Sequence, residues 1–392
     1  MAGRSSEAGM TGAGGASGRM PGRARGRAWG GPVRVMIVDD SATQRRLLAH
    51  HFSTDGRVAL VASAADCDEA AILLPKARPD VLLLDIEMPG CDGLTFLRRL
   101  MGSRPLPVVV LSSLAAAGSA AAVEALALGA IDCLEKAARS YARGPEGLVE
   151  RLVAAASAAP ALAARRLTLA WAAGENAGKT PAAAQGGRDW GRICLVGSST
   201  GGVAALEELL AVFPADGPAL VIAQHMPPAY VERIADRFER RFAPRVAIAR
   251  HGERIVPGQV YFAPGKGTHV ELSPQAPLTI AIRSADGTHG HSPSVDRLFA
   301  SGIRHASAVV AVLLSGMGRD GASALLELRR HGARTLAQDA RTSLIYGMPG
   351  AAAAMGAAEE LLPPAEIGAR ILTLCTVGAT PRPAIRPDAT EG

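Results

Sequence analysis

Aromatic residues are scarce, at 4% of the 392-residue chain. Its cores must therefore rest on Val, Leu, Ile and Ala. Cysteines are few as well: Cys67, Cys91, Cys133, Cys194 and Cys375 are scattered, odd in number and not in metal-ligand spacing. That excludes a disulfide scaffold and a zinc module, and reads as buried thiols in a reducing cytoplasm. No apolar run approaches the length of a bilayer span, and no signal-peptide core precedes the first strand.

Basic charge is confined. The net charge is +6, but residues 1–34 carry Arg4, Arg19, Arg23, Arg25, Arg27 and Arg34 against one acid, Glu7. Almost none is left for the rest of the chain, so no basic face suggests a nucleic-acid footprint. The Arg- and Gly-rich head has too few apolar residues to pack and reads as a disordered segment.

What is present is an α/β pattern. Apolar strands alternate with Ala-rich helical stretches, the signature of βαβ units and parallel sheets. The spacing predicts a head at 1–32, an α/β block at 33–156, a linker at 157–190, a second α/β block at 191–376 and a tail at 377–392. In the first block the expected strands are Val33–Val38, Val58–Ala62, Val81–Leu84, Pro107–Leu111 and Ile131–Leu134. Helical stretches include Asp92–Met101, Gly118–Leu128 and Glu146–Ala156.

Polar residues fall at the carboxyl ends of these strands. Asp39 and Asp40 follow the first, Asp85 ends the third, Ser112 follows the fourth and Lys136 the fifth. That edge of an open α/β sheet is where ligands bind. Three carboxylates together repel one another unless a cation neutralises them, and an all-oxygen set suits Mg2+. A carboxylate beside Mg2+ can take up a phosphoryl group, with Lys136 and Ser112 placed to meet its oxygens. Taken singly, each is more often a turn, a cap or a solvated residue.

Val38-Asp39-Asp40-Ser41, the stretch Leu84-Asp85-Ile86-Glu87-Met88-Pro89-Gly90 with Asp92-Gly93, and Leu111-Ser112-Ser113 resemble the response-regulator receiver family. The resemblance implies a flavodoxin-like five-stranded parallel domain with Asp85 as the phosphorylated residue. It also implies Asp39, Asp40, Asp85 and the Glu87 carbonyl as Mg2+ ligands, and a histidine kinase as phosphodonor. Ala137 stands where that family usually has proline, and Cys133 where many members have an aromatic.

The second block opens with a strand at Arg192–Val196, then Gly197-Ser198-Ser199-Thr200-Gly201-Gly202 and a helical stretch from Val203 to Val212. A serine on a tight strand-to-helix turn is held exposed, and the helix N-terminus favours developing negative charge. A strand at Ala219–Ala223 ends in Gln224-His225-Met226-Pro227, and one at Ala308–Leu314 ends in Ser315-Gly316-Met317-Gly318-Arg319-Asp320-Gly321. Ser, His and Asp thus share one sheet edge, as a nucleophile, a base and an orienting carboxylate would. A phosphate-cradling turn, a structural histidine and a helix-capping aspartate are the plainer readings of the three parts. Of the remaining histidines, His269 and His291 are the two that could line a cleft.

These segments, with Pro293-Ser294-Val295-Asp296, Gln338-Asp339 and Tyr346-Gly347-Met348-Pro349-Gly350, resemble the catalytic domain of chemotaxis protein-glutamate methylesterases, the CheB type. The resemblance implies a Rossmann-like doubly wound hydrolase domain behind the receiver. It implies Ser199 as nucleophile, His225 as general base and acid, Asp320 as its support, and Met317 with Thr200 as backbone oxyanion donors. Methyl-accepting chemoreceptors would be the substrate, with glutamine deamidation as a second activity and no cofactor for the hydrolysis. The domain order adds the expectation that the receiver covers the Ser199 edge until Asp85 is phosphorylated. An adaptor with a dead hydrolase, a DNA-binding regulator and a nucleotide-dependent enzyme are the alternatives. The intact Ser-His-Asp set, the missing recognition module and the missing phosphate fingerprint weigh against them in turn.

Overall fold

The computed structural model describes residues 31–112, 116–136, 147–159, 161–162, 189–265, 267–285 and 291–376. Nearly all of the head, most of the linker, the tail, Ala137 and His289 lie outside the described residues.

Strands β1 (Val33–Val38), β2 (Val58–Ala64), β3 (Val81–Asp85), β4 (Val108–Ser112) and β5 (Asp132–Glu135) form one sheet in the order β2-β1-β3-β4-β5. Every pairing is parallel. Helices α1 (Ala42–Ser53), α2 (Cys67–Ala77), α3 (Gly93–Ser103), α4 (Ala116–Ala127) and α5 (Leu148–Ala156) connect or follow the strands. The order is the flavodoxin-like one, whose switch point lies beside β1. Strand β3 reads Val-Leu-Leu-Leu-Asp and is buried throughout, as a strand covered by helices on both faces must be. Helix starts are set by local chemistry: Ser41 accepts from the Gln44 N–H at 3.2 Å, and Asp92 from the Leu94 N–H at 3.1 Å.

Two expected strands shift by one residue, to Val108–Ser112 and Asp132–Glu135. Pro107 has no N–H to give to a ladder, although its carbonyl accepts from Leu82 N at 2.9 Å. The cysteine expectation needs correction too. Cys133, Cys194 and Cys375 are buried and free, whereas Cys67 is disulfide-bonded. Sequence spacing does not show which thiols a fold brings together.

The second sheet has seven parallel strands. In chain order these are β6 (Ile193–Ser198), β7 (Leu220–Gln224), β8 (Arg245–Ile248), β9 (Gln259–Phe262), β12 (Val309–Leu313), β13 (Arg334–Gln338) and β14 (Glu360–Leu362). Their spatial order is β8-β9-β7-β6-β12-β13-β14, with all pairings parallel. A separate antiparallel pair, β10 (Thr268–Leu272) and β11 (Ile280–Ser284), follows β9. Helices α6 (Gly202–Leu210), α7 (Pro228–Arg241), α8 (Val295–Gly302), α9 (Ala322–Arg330), α10 (Met348–Ala354) and α11 (Pro364–Cys375) complete the layers. Strand β6 runs on to Ser198, beyond the expected end at Val196, because Gly197 and Ser198 still pair with Ala223 and Gln224.

The two α/β units touch. Helix α4 packs on α6 and α7, and one continuous apolar cluster runs from Ala122 and Val123 to Val203, Tyr230 and Val231. The contact lies beside the turn that follows β6.

Candidate active site

Strands β6, β7 and β12 are neighbours at the middle of the second sheet, so their carboxyl ends meet. After β6 the chain turns through Ser199, Thr200 and Gly201, whose φ of 77° a side chain would resist, into α6. The turn is pinned by Ser199 N–H donating to Ser315 O at 3.0 Å and Gly202 N–H donating to Ser199 O at 2.8 Å. The two serines differ in environment. Ser198 is fully buried and its Oγ donates to Gln224 Oε1 at 2.5 Å. Ser199 is 8% exposed at the rim. Gly316, at the end of β12, abuts it: a Cβ on Gly316 would lie 2.8 Å from Ser199 Cβ. Met317 and its backbone come next along the chain.

His225, the residue after β7, points its Nε2 at Asp320 Oδ2, 2.8 Å away. Its Nδ1 is buried and has no hydrogen-bond partner among the described residues. The ring therefore has one nitrogen fixed on Asp320 and the other unbonded among the described residues.

Asp320 is held from the opposite side by the start of α8. Val295 N–H donates to Oδ2 at 2.8 Å, Asp296 N–H to Oδ1 at 3.0 Å, and Ser294 Oγ–H to Oδ1 at 3.2 Å. Burial alone would raise its pKa; the bonds from His225, Asp296 and Val295 outweigh burial and hold the carboxyl far below the usual carboxylate range. It stays an anion next to the imidazole. Asp320 does not cap α9, whose N-cap Gly321 makes no side-chain bond; its carboxylate instead meets the N–H groups that open α8. Asp296, by contrast, is pushed up by burial and by the Asp320 charge, against the Ala324 N–H that it accepts. Gly197 lets this assembly close: a Cβ there would lie 2.2 Å from Val295 Cγ1.

Sequence reasoning gave Ser294, Val295 and Asp296 no role, although their run was visible. It missed Asp132 altogether. This residue of β5 accepts from Thr200 Oγ1 at 2.9 Å and from Arg151 Nη1 at 2.6 Å. Beside it, Gly201 N–H donates to Ile131 O at 3.1 Å. A residue at the first position of a strand leaves no signal that it will bond another domain.

At the carboxyl edge of the first sheet, Asp39, Asp40 and Asp85 bring carboxylate oxygens within 4.8 Å of one another. Asp85 is fully buried, accepts from Glu87 N–H at 2.8 Å and is bonded to Lys136 Nζ. Ser112 is buried at the end of β4. Burial raises the Asp39 pKa, and the Asp85 and Asp40 charges add to that, against the Ser41 N–H and Lys136. Asp39 Oδ2 is buried without a hydrogen bond, with Lys136 Nζ 4.0 Å away. An orphaned anionic oxygen in an all-oxygen cluster is chemically what a hard divalent cation such as Mg2+ takes.

Comparison with known proteins agrees with both halves. Residues 194–371 match the CheB methylesterase family, and residues 35–142 the response regulator receiver domain. The protein-glutamate methylesterase/protein-glutamine glutaminase of Agrobacterium fabrum is 42% identical over 345 residues, covering 88% of this chain and 97% of that one. A protein of the same description from Caulobacter vibrioides, numbered 1, is 41% identical over 350 residues, covering 88% and 98%. The crystal structure of the Thermotoga maritima CheB methylesterase catalytic domain is 30% identical, covers 47% of this chain and 98% of that one, and superposes with a TM-score of 0.45. The chain belongs to the protein-glutamate methylesterase/protein-glutamine glutaminase family, in which it joins a response-regulator receiver domain to a CheB methylesterase domain.

Proposed function

We propose that this protein hydrolyses glutamate methyl esters on methyl-accepting chemoreceptors, and deamidates receptor glutamines, under the control of phosphorylation at Asp85. The observation that carries the reading is the bond between His225 Nε2 and Asp320 at 2.8 Å, beside the Ser199 turn and with Nδ1 left open.

In this reading Ser199 Oγ attacks the ester carbonyl and gives its proton to His225 Nδ1. The charge that develops on the carbonyl oxygen meets the Met317 N–H and the backbone near Thr200. Methanol leaves with the proton from His225. Water, deprotonated in turn by His225, then cleaves the acyl-enzyme to glutamate and free Ser199. Glutamine follows the same path with ammonia as the leaving group, where protonation by His225 matters more. Asp320 keeps the ring oriented and steadies the imidazolium.

At the other edge Asp39, Asp40 and Asp85, with the Glu87 carbonyl, would hold Mg2+. When bound, the cation neutralises carboxylate charge so that an anionic phosphoryl group can approach. Lys136 and Ser112 bind the phosphoryl oxygens, and a histidine kinase supplies the group. No described helix is long and apolar enough to cross a membrane. The reading places the protein in the cytoplasm, reaching membranes through receptors.

Regulation follows from the contact between the domains. The bonds from Thr200 to Asp132 and from Gly201 to Ile131 support a receiver that restrains the nucleophile turn. Asp132→Ala removes a charge-assisted bond, so the unphosphorylated enzyme should gain roughly ten- to hundredfold in ester hydrolysis. A fragment starting near Asp189, which also loses the apolar contact of α4, should gain at least as much. Equal rates for the fragment and the unphosphorylated full chain would rule out restraint.

The activity itself is tested with membranes bearing methylated receptors. The full chain should release methanol, and ammonia from receptors with glutamine at those positions. Absence of both, from a folded and phosphorylated protein, would reject this function.

A further inference from the structure

We infer that His291 is a positioning residue for His225: its ring fixes the plane of the catalytic imidazole. The two rings lie face to face, with centroids 4.4 Å apart and planes 4° from parallel. This inference rests on the reading of His225 as the base acting on Ser199.

The need for such a contact follows from torsional freedom. The bond to Asp320 fixes one corner of the His225 ring. The last torsion of a histidine is broad, so one hydrogen bond does not by itself set the plane of the ring. A flat group on its face removes that freedom and keeps Nδ1 directed at one place. It also excludes water from that face. An imidazole adds something an aliphatic side chain would not: its electron-rich face meets a ring that becomes cationic when it accepts a proton.

The loop that carries His291 is built to hold such a position. Three residues later it presents Ser294, Val295 and Asp296 to Asp320, so one segment fixes both the carboxylate and the ring face. The segment is pinned twice. Gly267 N–H donates to Ser292 Oγ at 3.0 Å, and Ser294 N–H donates to His269 Nδ1 at 3.1 Å, where His269 is only 1% exposed. His269 thereby has a place in the same scaffold, at one remove from the chemistry.

The test uses the full chain treated with a small phosphodonor and Mg2+. A fluorophosphonate labels the nucleophile: the bond from Ser199 Oγ to phosphorus forms, the bond from phosphorus to fluorine breaks, fluoride leaves, and the Ser199 proton passes to His225. His291→Ala should slow labelling and lower kcat for ester hydrolysis about tenfold, with KM little changed. His291→Phe restores a flat ring and should recover most of the loss. Thermal melts check that both variants fold. Labelling involves no receptor, so failure of receptor esters as substrate would leave the labelling ratios intact. Unchanged labelling in His291→Ala would overturn the inference. So would a loss in which Phe does as badly as Ala, or a change confined to KM.

Discussion

Ser199→Ala should lower kcat for ester hydrolysis by roughly four to six orders of magnitude, the range expected when the nucleophile of an interdependent triad is removed. Ser198→Ala, one residue away, should keep most of the activity. The contrast follows from what each hydroxyl touches. Ser198 Oγ is fully buried and spent on Gln224 Oε1, so its loss strands a buried acceptor. That costs about 1–3 kcal/mol of stability and shows in a thermal melt rather than in the chemistry. Ser199 sits at the rim, with its backbone fastened by Ser315 O and Gly202 N–H. A fastened backbone is what a nucleophile on a turn requires, and Ser199, at 8% exposure, is less deeply buried than Ser198. Steady-state kinetics and melts on the two variants decide it. A Ser198→Ala enzyme as dead as Ser199→Ala would move the nucleophile.

Asp320→Asn should cost nearly as much, about four orders of magnitude in kcat, by analogy with the effect of the same change in other serine hydrolases. The reason is specific to this carboxylate. Oδ1 accepts from Asp296 N–H and Ser294 Oγ–H, and Oδ2 accepts from Val295 N–H while facing His225. An amide nitrogen placed at either position meets a donor. No orientation of Asn satisfies both sides: with nitrogen at the Oδ2 position the imidazole and Val295 N–H lose their acceptor, and with nitrogen at the Oδ1 position Asp296 N–H loses its own. Stability should fall with activity. The native carboxyl lies below its unfolded pKa, so its bonds stabilise the fold above about pH 4 and are lost as pH falls toward the depressed value. Asn lacks that contribution, and its stability at neutral pH should be lower by about 1–3 kcal/mol. A fully folded Asn variant within tenfold of wild type would contradict the role given to Asp320.

Much of this was legible because chemistry-bearing residues sat at strand ends. Apolar runs such as Val33–Val38 and Val81–Leu84 marked buried parallel strands, and Asp39, Asp85, Ser112 and Lys136 followed from them. The same logic put Ser199, His225 and Asp320 at one sheet edge across more than a hundred residues, and there the structure places them. It could not find partners defined only by three-dimensional approach. Asp132 reaches Thr200 across a domain boundary, and Arg151 joins it from α5. His291 was legible as a candidate to line a cleft, but not its stacking on His225. The Cys67 disulfide was missed for the same reason. The glycines were visible, but why Gly197 must lack a side chain depends on Val295, nearly a hundred residues away.

The central claim is that one chain couples Asp85 to Ser199. Its most direct test is the rate of methanol release from methylated receptor membranes before and after a small phosphodonor and Mg2+ are added, in wild type and Asp85→Asn. The account predicts a rate that rises with the donor in wild type and stays flat in Asp85→Asn, with both proteins folded. An equal rise in both, or none in a wild type whose Asp85 carries the phosphoryl group, would contradict it.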